Sequence, residues 1–423
     1  MHRQKYIRSV SLVLLLVFAG FFYQPGLAKS QSDKEFQKAM DGFRVMYKIG
    51  LEECRIVGSS FMFIHDNKIL AKEFYGMANI DQNRKTDENT IYHWASITKT
   101  FAGIGIMQLR DRGLLKLDDP VIQYIPELKI VHNPFGDMSE ITIRHLMTHS
   151  AGFRGATWPW PWHDKDTKKW QPHEPLHWDQ LVAMFPYTEV AFKPGSRVSY
   201  SNLGIIFLGR IVDLLTTDDW ECYIDKNIFK PLGMHRSYFD TTPYHLMKDK
   251  GQSYFLKESE IVPAHPDINT GITVSNGGLK CPFPDFVQYV NFLMGDPEKQ
   301  HLYDVVLKRS TLEEMWTPQY GMKAASQEGS IQSGMGLTFF IEENNGMKFI
   351  WHSGGQNAWV TLFMVQPESR TAFILAYNTT LYRPFKPDPD FKPTEETMKL
   401  RNFRMKVKQY VIEKIIPLFS DKK

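Results

Sequence analysis

Cysteine is scarce in this chain. Its 423 residues hold three, Cys54, Cys222 and Cys281, and no C-x-x-C pair. An odd count allows one disulfide with one thiol left over, and the sequence does not pair them. None of the three stands in a setting that would activate a thiol nucleophile. G-x-S-x-G is absent as well, which removes the nucleophile elbow of the α/β-hydrolases. An excess of charge is also missing. Three of the 50 Lys and Arg residues fall within residues 1–28 and none of the 47 Asp and Glu do, so the remainder carries 47 of each sign. Such a balance offers no electrostatic footprint for nucleic acid or for an anionic membrane surface. There is no internal repeat and no low-complexity tract.

What is present begins with a leader. Arg3, Lys5 and Arg8 precede an apolar run from Val10 to Tyr23, then Pro25-Gly26-Leu27-Ala28. The run is short for a bilayer span of ~20 residues. Its small residues fit cleavage after Ala28, so residues 1–28 read as a signal peptide and the protein as secreted or periplasmic. An uncleaved N-terminal anchor is the alternative. If the leader is removed, no stable membrane insertion is expected.

The remainder reads as helix and strands, then helices, then strands and helix. Phe36, Met40, Phe43 and Tyr47 recur at helical spacing over Asp33–Lys48. Phe61–Ile64 and Ile69–Tyr75 flank Asp66-Asn67 as a hairpin. Helices are expected at 143–147, 176–185, 203–215, 220–229 and 285–294. Gly336–Ile341 and Lys348–Trp351 flank Asn345-Gly346, Val360–Val365 and Thr371–Tyr377 make a further hairpin, and a last helix spans about 396–416. A lone hairpin is marginal, so strands from both ends of the chain must share one antiparallel sheet. The result is an α+β protein with a sheet lobe at about 33–92 and 265–420 and a helical lobe at about 93–264 inserted between. The gap between lobes is the natural place for a site.

Three short motifs fall where that gap should be. Ser96-Ile97-Thr98-Lys99 opens an apolar helical run, with Lys99 one turn from Ser96 on the same face. A buried lysine there can take the proton of a serine nucleophile. Ser420-Asp421-Lys422-Lys423 matches the same pattern at the C-terminus. Tyr200-Ser201-Asn202 lies on a bend after Pro194-Gly195. A lysine ammonium beside the tyrosine would lower its pKa and make it a base. Tyr289-Val290-Asn291 also matches, but inside a helix. His352-Ser353-Gly354-Gly355 closes a strand, where glycines let another backbone approach, and the N–H groups of Gly355 and Ser96 are candidate oxyanion donors.

S-x-x-K, Y-x-N and H-x-G in that order resemble the serine β-lactamases and penicillin-binding-protein-like hydrolases. The separations, 104 residues from Ser96 to Tyr200 and 152 from Tyr200 to His352, are similar to those of class C β-lactamases and family VIII esterases. Leu146–Gly152, Phe192–Gly195, Pro231–Met234, Asn276–Leu279 and Gly334–Leu337 agree with the resemblance, which covers roughly Phe36 to Tyr377. It implies a β-lactamase/transpeptidase-like fold over residues 29–423, an antiparallel sheet flanked by terminal helices with an all-helical lobe. It implies Ser96 as nucleophile, Lys99 as its activator and Tyr200 as general base. Asn202 would orient both substrate and Lys99; His352, Ser353 and Gly355 would complete the substrate-binding wall. No cofactor and no metal is implied, and the partner is a small ester, amide or peptide, a β-lactam or D-amino-acid peptide included. K-T-G is absent, and neutral His352 in place of its lysine favours neutral esters or amides.

Two other classes of function compete. One is a binding or sensory protein that keeps the fold without turnover. The other is a zinc hydrolase through His173-Glu174-Pro175-Leu176-His177, which matches H-E-x-x-H. Pro175 makes that helix start too late to hold His173. Trp158-Pro159-Trp160-Pro161-Trp162 is a possible lid over the cleft, or simply packs on the helical lobe. His149 reads as a structural loop histidine.

Overall fold

The computed structural model describes residues 31–157, 175–257, 260–265, 269–322, 332–381 and 395–420. The leader, the Trp158–Trp162 loop, and His173 with Glu174 lie outside the described residues. The N-terminal hairpin forms as its turn dictates. Asp66 and Asn67 both take positive φ, 47° and 59°, the left-handed pair that a two-residue hairpin needs and that Asp and Asn tolerate. They join β1 (Gly58–His65) to β2 (Lys68–Asn79). Asn345 and Gly346, at 52° and 74°, turn β3 (Phe340–Asn344) into β4 (Met347–Gln356). β5 (Trp359–Gln366) and β6 (Thr371–Tyr377) complete the central set.

The two ends of the chain do share a sheet. β1 lies antiparallel between β2 and β6, with Ser59 opposite Tyr377 and His65 opposite Thr371. Among the described residues the sheet has nine strands, in the order 84–85, β2, β1, β6, β5, β4, β3, 332–335, 320–322.

Alternation along each strand sends side chains to opposite faces, and both faces are covered. On one side pack helices α1 (Gln31–Glu53) and, labelled in chain order, α5 (Glu395–Tyr410). Phe43 meets Phe61 edge-on at 5.0 Å between ring centroids. Phe36, Tyr47, Phe373, Phe403 and Val407 complete this aromatic layer. On the other side Met62, Ile64, Phe363 and Ile374 join one apolar cluster with α2 (Thr98–Asp111), α3 (Asn202–Leu215) and α4 (Phe283–Met294), and Phe363 packs on Phe286 and Tyr289 of α4. Each such side chain, fully buried, contributes at most about 1.5–3 kcal/mol.

Three features differ from the sequence reading. The inserted lobe is not all helix. Strands at 91–93, 279–282 and 238–239 form one small sheet, and 379–381, 254–257 and 260–263 form another. These runs have two to four residues, too few for a period of two to show. Helices at 300–306 and 309–315, which the sequence reading did not assign, follow the expected one at 283–294 within the segment assigned to the sheet lobe. Finally, the strand carrying His352 does not end at Trp351. It runs on through both glycines to Gln356, because glycine there serves close packing and not a turn: a Cβ on Gly354 would sit 2.2 Å from the Trp94 carbonyl oxygen.

Candidate active site

Ser96 lies in a single 3-10 turn, Ala95–Ile97, that leads into α2. The segment before it is held on every side. The Trp94 indole stacks on Phe286 at 3.7 Å and donates from Nε1 to the Cys281 carbonyl at 2.9 Å. Thr361 Oγ1 on β5 donates to the Trp94 carbonyl at 3.0 Å, and Gly354 presses against the same residue. Ala95 then takes φ of 49°, a left-handed conformation that costs a non-glycine residue about 1–2 kcal/mol. Such strain persists only where the surroundings over-determine it. Neither end of the turn has a side-chain cap, so the Ser96 hydroxyl is not spent on capping.

Lys99 is fully buried. Its Nζ lies 3.1 Å from Ser96 Oγ and donates to the Asn276 carbonyl at 2.6 Å. No carboxylate of the described residues pairs with it, and burial drives its pKa well below 10.5. The group is therefore held toward its neutral amine, which accepts a proton. The resemblance assigned Asn202 to hold Lys99. The Asn276 carbonyl makes that contact instead, while Asn202 Oδ1 is buried without a partner among the described residues. Asn202 itself is set by the start of α3: Ser201 Oγ caps the helix by accepting from the Gly204 N–H at 3.0 Å.

Tyr200 lies beside Ser96, and its ring is 5.0 Å from Lys99 Nζ. The expected acidified phenol is not found. Desolvation in the cleft pushes the Tyr200 pKa up, only partly offset by the neighbouring Ser96 hydroxyl, although 36% of the residue remains exposed. A lysine acidifies a neighbouring tyrosine only while it is charged, and burial discourages that charge. The decoy Tyr289 is fully buried and donates to Thr100 Oγ1 at 2.7 Å.

His352 is buried beside this group. Its Nδ1 lies 2.8 Å from the Ser353 carbonyl, which can only accept, so the proton sits on Nδ1 and the lone pair on Nε2. Nε2 is buried without a partner among the described residues. Desolvation lowers the His352 pKa to about 3. Ser353 thus supplies its carbonyl, while strand alternation puts its hydroxyl on the other face from His352. A Cβ at Gly355 would meet open space, so packing does not require glycine there.

One wall was not foreseen. Phe340 on β3 stacks over Tyr200 at 6.3 Å and lies 5.0 Å from His352 and 4.8 Å from Trp351. With both faces of the sheet covered, the apolar pair Phe339-Phe340 gives no sign of which ring meets the cleft. His177, half of the zinc pattern, is the N-cap residue of a short helix at 178–182. Among the described residues no cluster of His, Cys, Asp or Glu has a metal-binding arrangement.

The β-lactamase family model matches residues 33–392. The chain belongs to the β-lactamase family. Members of this family are generally serine hydrolases, which fits the serine and buried lysine described above. Protein flp of Staphylococcus aureus is 24% identical over 328 residues, 78% of this chain and 61% of that protein. This β-lactamase-family chain thus spans about three fifths of the length of that relative. Beta-lactamase-like protein 2 of Dictyostelium discoideum is 27% identical over 414 aligned residues, 89% of this chain and 71% of that one. Among solved structures, an octameric penicillin-binding protein homologue from Pyrococcus abyssi superposes with a TM-score of 0.69 at 25% identity, covering 82% of this chain and 74% of the other. A class C β-lactamase superposes with a TM-score of 0.67 at 19% identity, covering 92% and 98%, a likeness of fold.

Proposed function

We propose that this protein is an exported serine hydrolase that cleaves a neutral ester or amide through an acyl-enzyme on Ser96. The observation that carries the reading is Lys99, fully buried, without a carboxylate partner among the described residues, and 3.1 Å from Ser96 Oγ. In the reaction the neutral Lys99 amine accepts the Ser96 proton as Oγ attacks the carbonyl carbon. Tyr200, kept as a neutral phenol, relays that proton to the leaving oxygen or nitrogen, and the acyl group stays on Ser96. Water then attacks the acyl carbon while the same pair takes its proton, and Ser96 is released. The N–H groups of Ser96 and Gly355 serve as oxyanion donors, and Asn202 presents its amide to the substrate.

The preference for neutral substrates rests on His352. An imidazole with its pKa lowered to about 3 carries no charge at neutral pH and offers a substrate carboxylate no ion pair. The aromatic wall of Phe340 and Tyr200 suits an apolar acyl or leaving group. Export follows from the leader, with cleavage after Ala28 as its expected processing.

The test is covalent. Mature protein incubated with a fluorophosphonate is expected to gain the probe mass at Ser96, and short-chain nitrophenyl esters are expected to turn over faster than nitrocefin or D-amino-acid peptides. Ser96→Ala is expected to lower kcat by at least ~10⁴. Equal labelling of Ser96→Ala, or folded wild type that takes no label, leaves a non-catalytic binding protein as the reading. Faster turnover of nitrocefin would overturn the neutral-substrate assignment alone.

A further inference from the structure

His149 reads from sequence as a structural loop residue, and it takes no part in the chemistry just described. Its geometry is nevertheless specific to the tyrosine. We infer that His149 is a positioning residue for Tyr200: its backbone carbonyl and its ring together grip the residues on either side of the phenol and hold it against Ser96. The inference rests on the serine-hydrolase reading above.

His149 is 1% exposed and takes φ of 54°, a conformation that costs a histidine of the order of 1 kcal/mol. The left-handed turn points two groups at one neighbouring segment. The His149 carbonyl accepts from the Ser199 N–H at 2.8 Å, and His149 Nδ1 accepts from the Ser201 N–H at 3.2 Å. The residue between those two donors is Tyr200, and the imidazole lies against its ring at 4.4 Å between centroids. Accepting through Nδ1 requires the neutral tautomer with its proton on Nε2, and burial keeps the ring neutral.

The loop bearing His149 is itself anchored to both lobes. The Met147 carbonyl accepts from the Thr338 N–H at 2.8 Å, just before β3, and the Ser150 carbonyl accepts from the Gly195 N–H at 2.9 Å. A residue that only packed this loop would need no acceptor at Nδ1. Both bonds instead bracket Tyr200, which has a third of its surface open to the cleft and whose reach to Ser96 depends on where its backbone is held.

Three substitutions separate positioning from packing. Glycine at 149 takes positive φ without penalty but has neither ring nor acceptor. Phenylalanine keeps a ring and fills the space without an acceptor. Asparagine tolerates the left-handed backbone and places an acceptor near the position of Nδ1. The readout is the acylation burst of Ser96 with a nitrophenyl ester, together with KM and the melting temperature. His149→Gly and His149→Phe are expected to acylate about 10²-fold more slowly, as for a misplaced catalytic group, with KM within about twofold. His149→Asn is expected to recover to within about tenfold of wild type. A folded Gly or Phe variant that acylates at the wild-type rate overturns the inference, as does a folded Asn variant as slow as the other two. The Gly and Phe variants threaten folding for different reasons, cavity against strain, so either suffices, and the Asn result is decisive by itself. Wild type is scored first. If it shows no burst and no fluorophosphonate adduct at Ser96, the hydrolase reading falls and takes this one with it. An active wild type leaves the His149 variants to judge positioning alone.

Discussion

Two buried lysines, Lys408 and Lys99, lie on opposite sides of the nine-stranded sheet, and their surroundings differ. Lys408 on α5 pairs with Glu342 on β3 and sits 3.8 Å from the Trp351 ring centroid. Lys99 on α2 is just as inaccessible, but among the described residues its hydrogen-bond partners are a carbonyl and a hydroxyl, with no carboxylate. Burial lowers both pKa values. For Lys408 the Glu342 carboxylate opposes the fall, while nothing opposes it for Lys99. A buried cation with a counter-ion can remain a cation and fasten a helix to a sheet. Without one it becomes an amine, and an amine next to a serine is a base. The difference between a structural and a reactive lysine is here the presence of one carboxylate.

Substitution should split the two. Lys99→Met is expected to lower ester turnover by at least ~10⁴ while raising stability by about 0.5–2 kcal/mol, the exchange seen when a strained active-site group is removed. Steady-state rates and urea unfolding on one preparation check both halves. If Lys99→Met is destabilised as well as inactive, Lys99 is part of the scaffold and the contrast fails. Lys408→Met is expected to do the opposite. It leaves the Glu342 carboxylate buried and unpaired, at a cost of about 3–5 kcal/mol, with kcat per folded molecule unchanged. Glu342→Leu combined with Lys408→Met should recover most of that loss, and a double mutant no better than the single one would show that the pair itself is not what matters.

The smallest effect is a pH dependence. The unfolded chain carries Lys99 protonated up to about 10.5, whereas the folded chain holds its pKa well below that value. Between the two pKa values the unfolded state binds one more proton, so wild-type stability rises with pH across that window. Lys99→Met lacks the term. Its stability advantage is therefore expected to shrink from about pH 7 to about pH 10, read from urea midpoints of the two proteins at each pH. An advantage that is constant over this range would mean that Lys99 stays charged when folded.

Much of this is legible in the sequence. Apolar positions at 36, 40, 43 and 47 put α1 on the sheet, and Asp66-Asn67 and Asn345-Gly346 placed two hairpins to the residue, because those turns depend on local backbone preference. The helical period around Tyr289 marked it as a core residue and left Tyr200 as the candidate. Glycine was the ambiguous letter. Gly354-Gly355 reads as a strand end, yet Gly354 lies mid-strand with the Trp94 carbonyl where its side chain would be. The β4–β5 turn that follows is Asn357-Ala358, with φ of 46° and 64°, and alanine gives no hint of a left-handed turn. The contacts of His149 are illegible for a related reason: they depend on a backbone angle and on a segment 50 residues away in sequence.

By itself, then, the sequence determined which reactive side chains exist, their order, and the turns and apolar stripes that bring Ser96, Tyr200 and His352 toward one cleft. It could not determine their charge. Whether Lys99 is an ammonium or an amine, whether Tyr200 is acidified, and which nitrogen of His352 carries the proton are set by desolvation and by single neighbours, the accepting carbonyls of Asn276 and Ser353 and the hydroxyl of Ser96. Those depend on what chain folding places around each group, and for Lys99 on the lack of a paired carboxylate among the described residues.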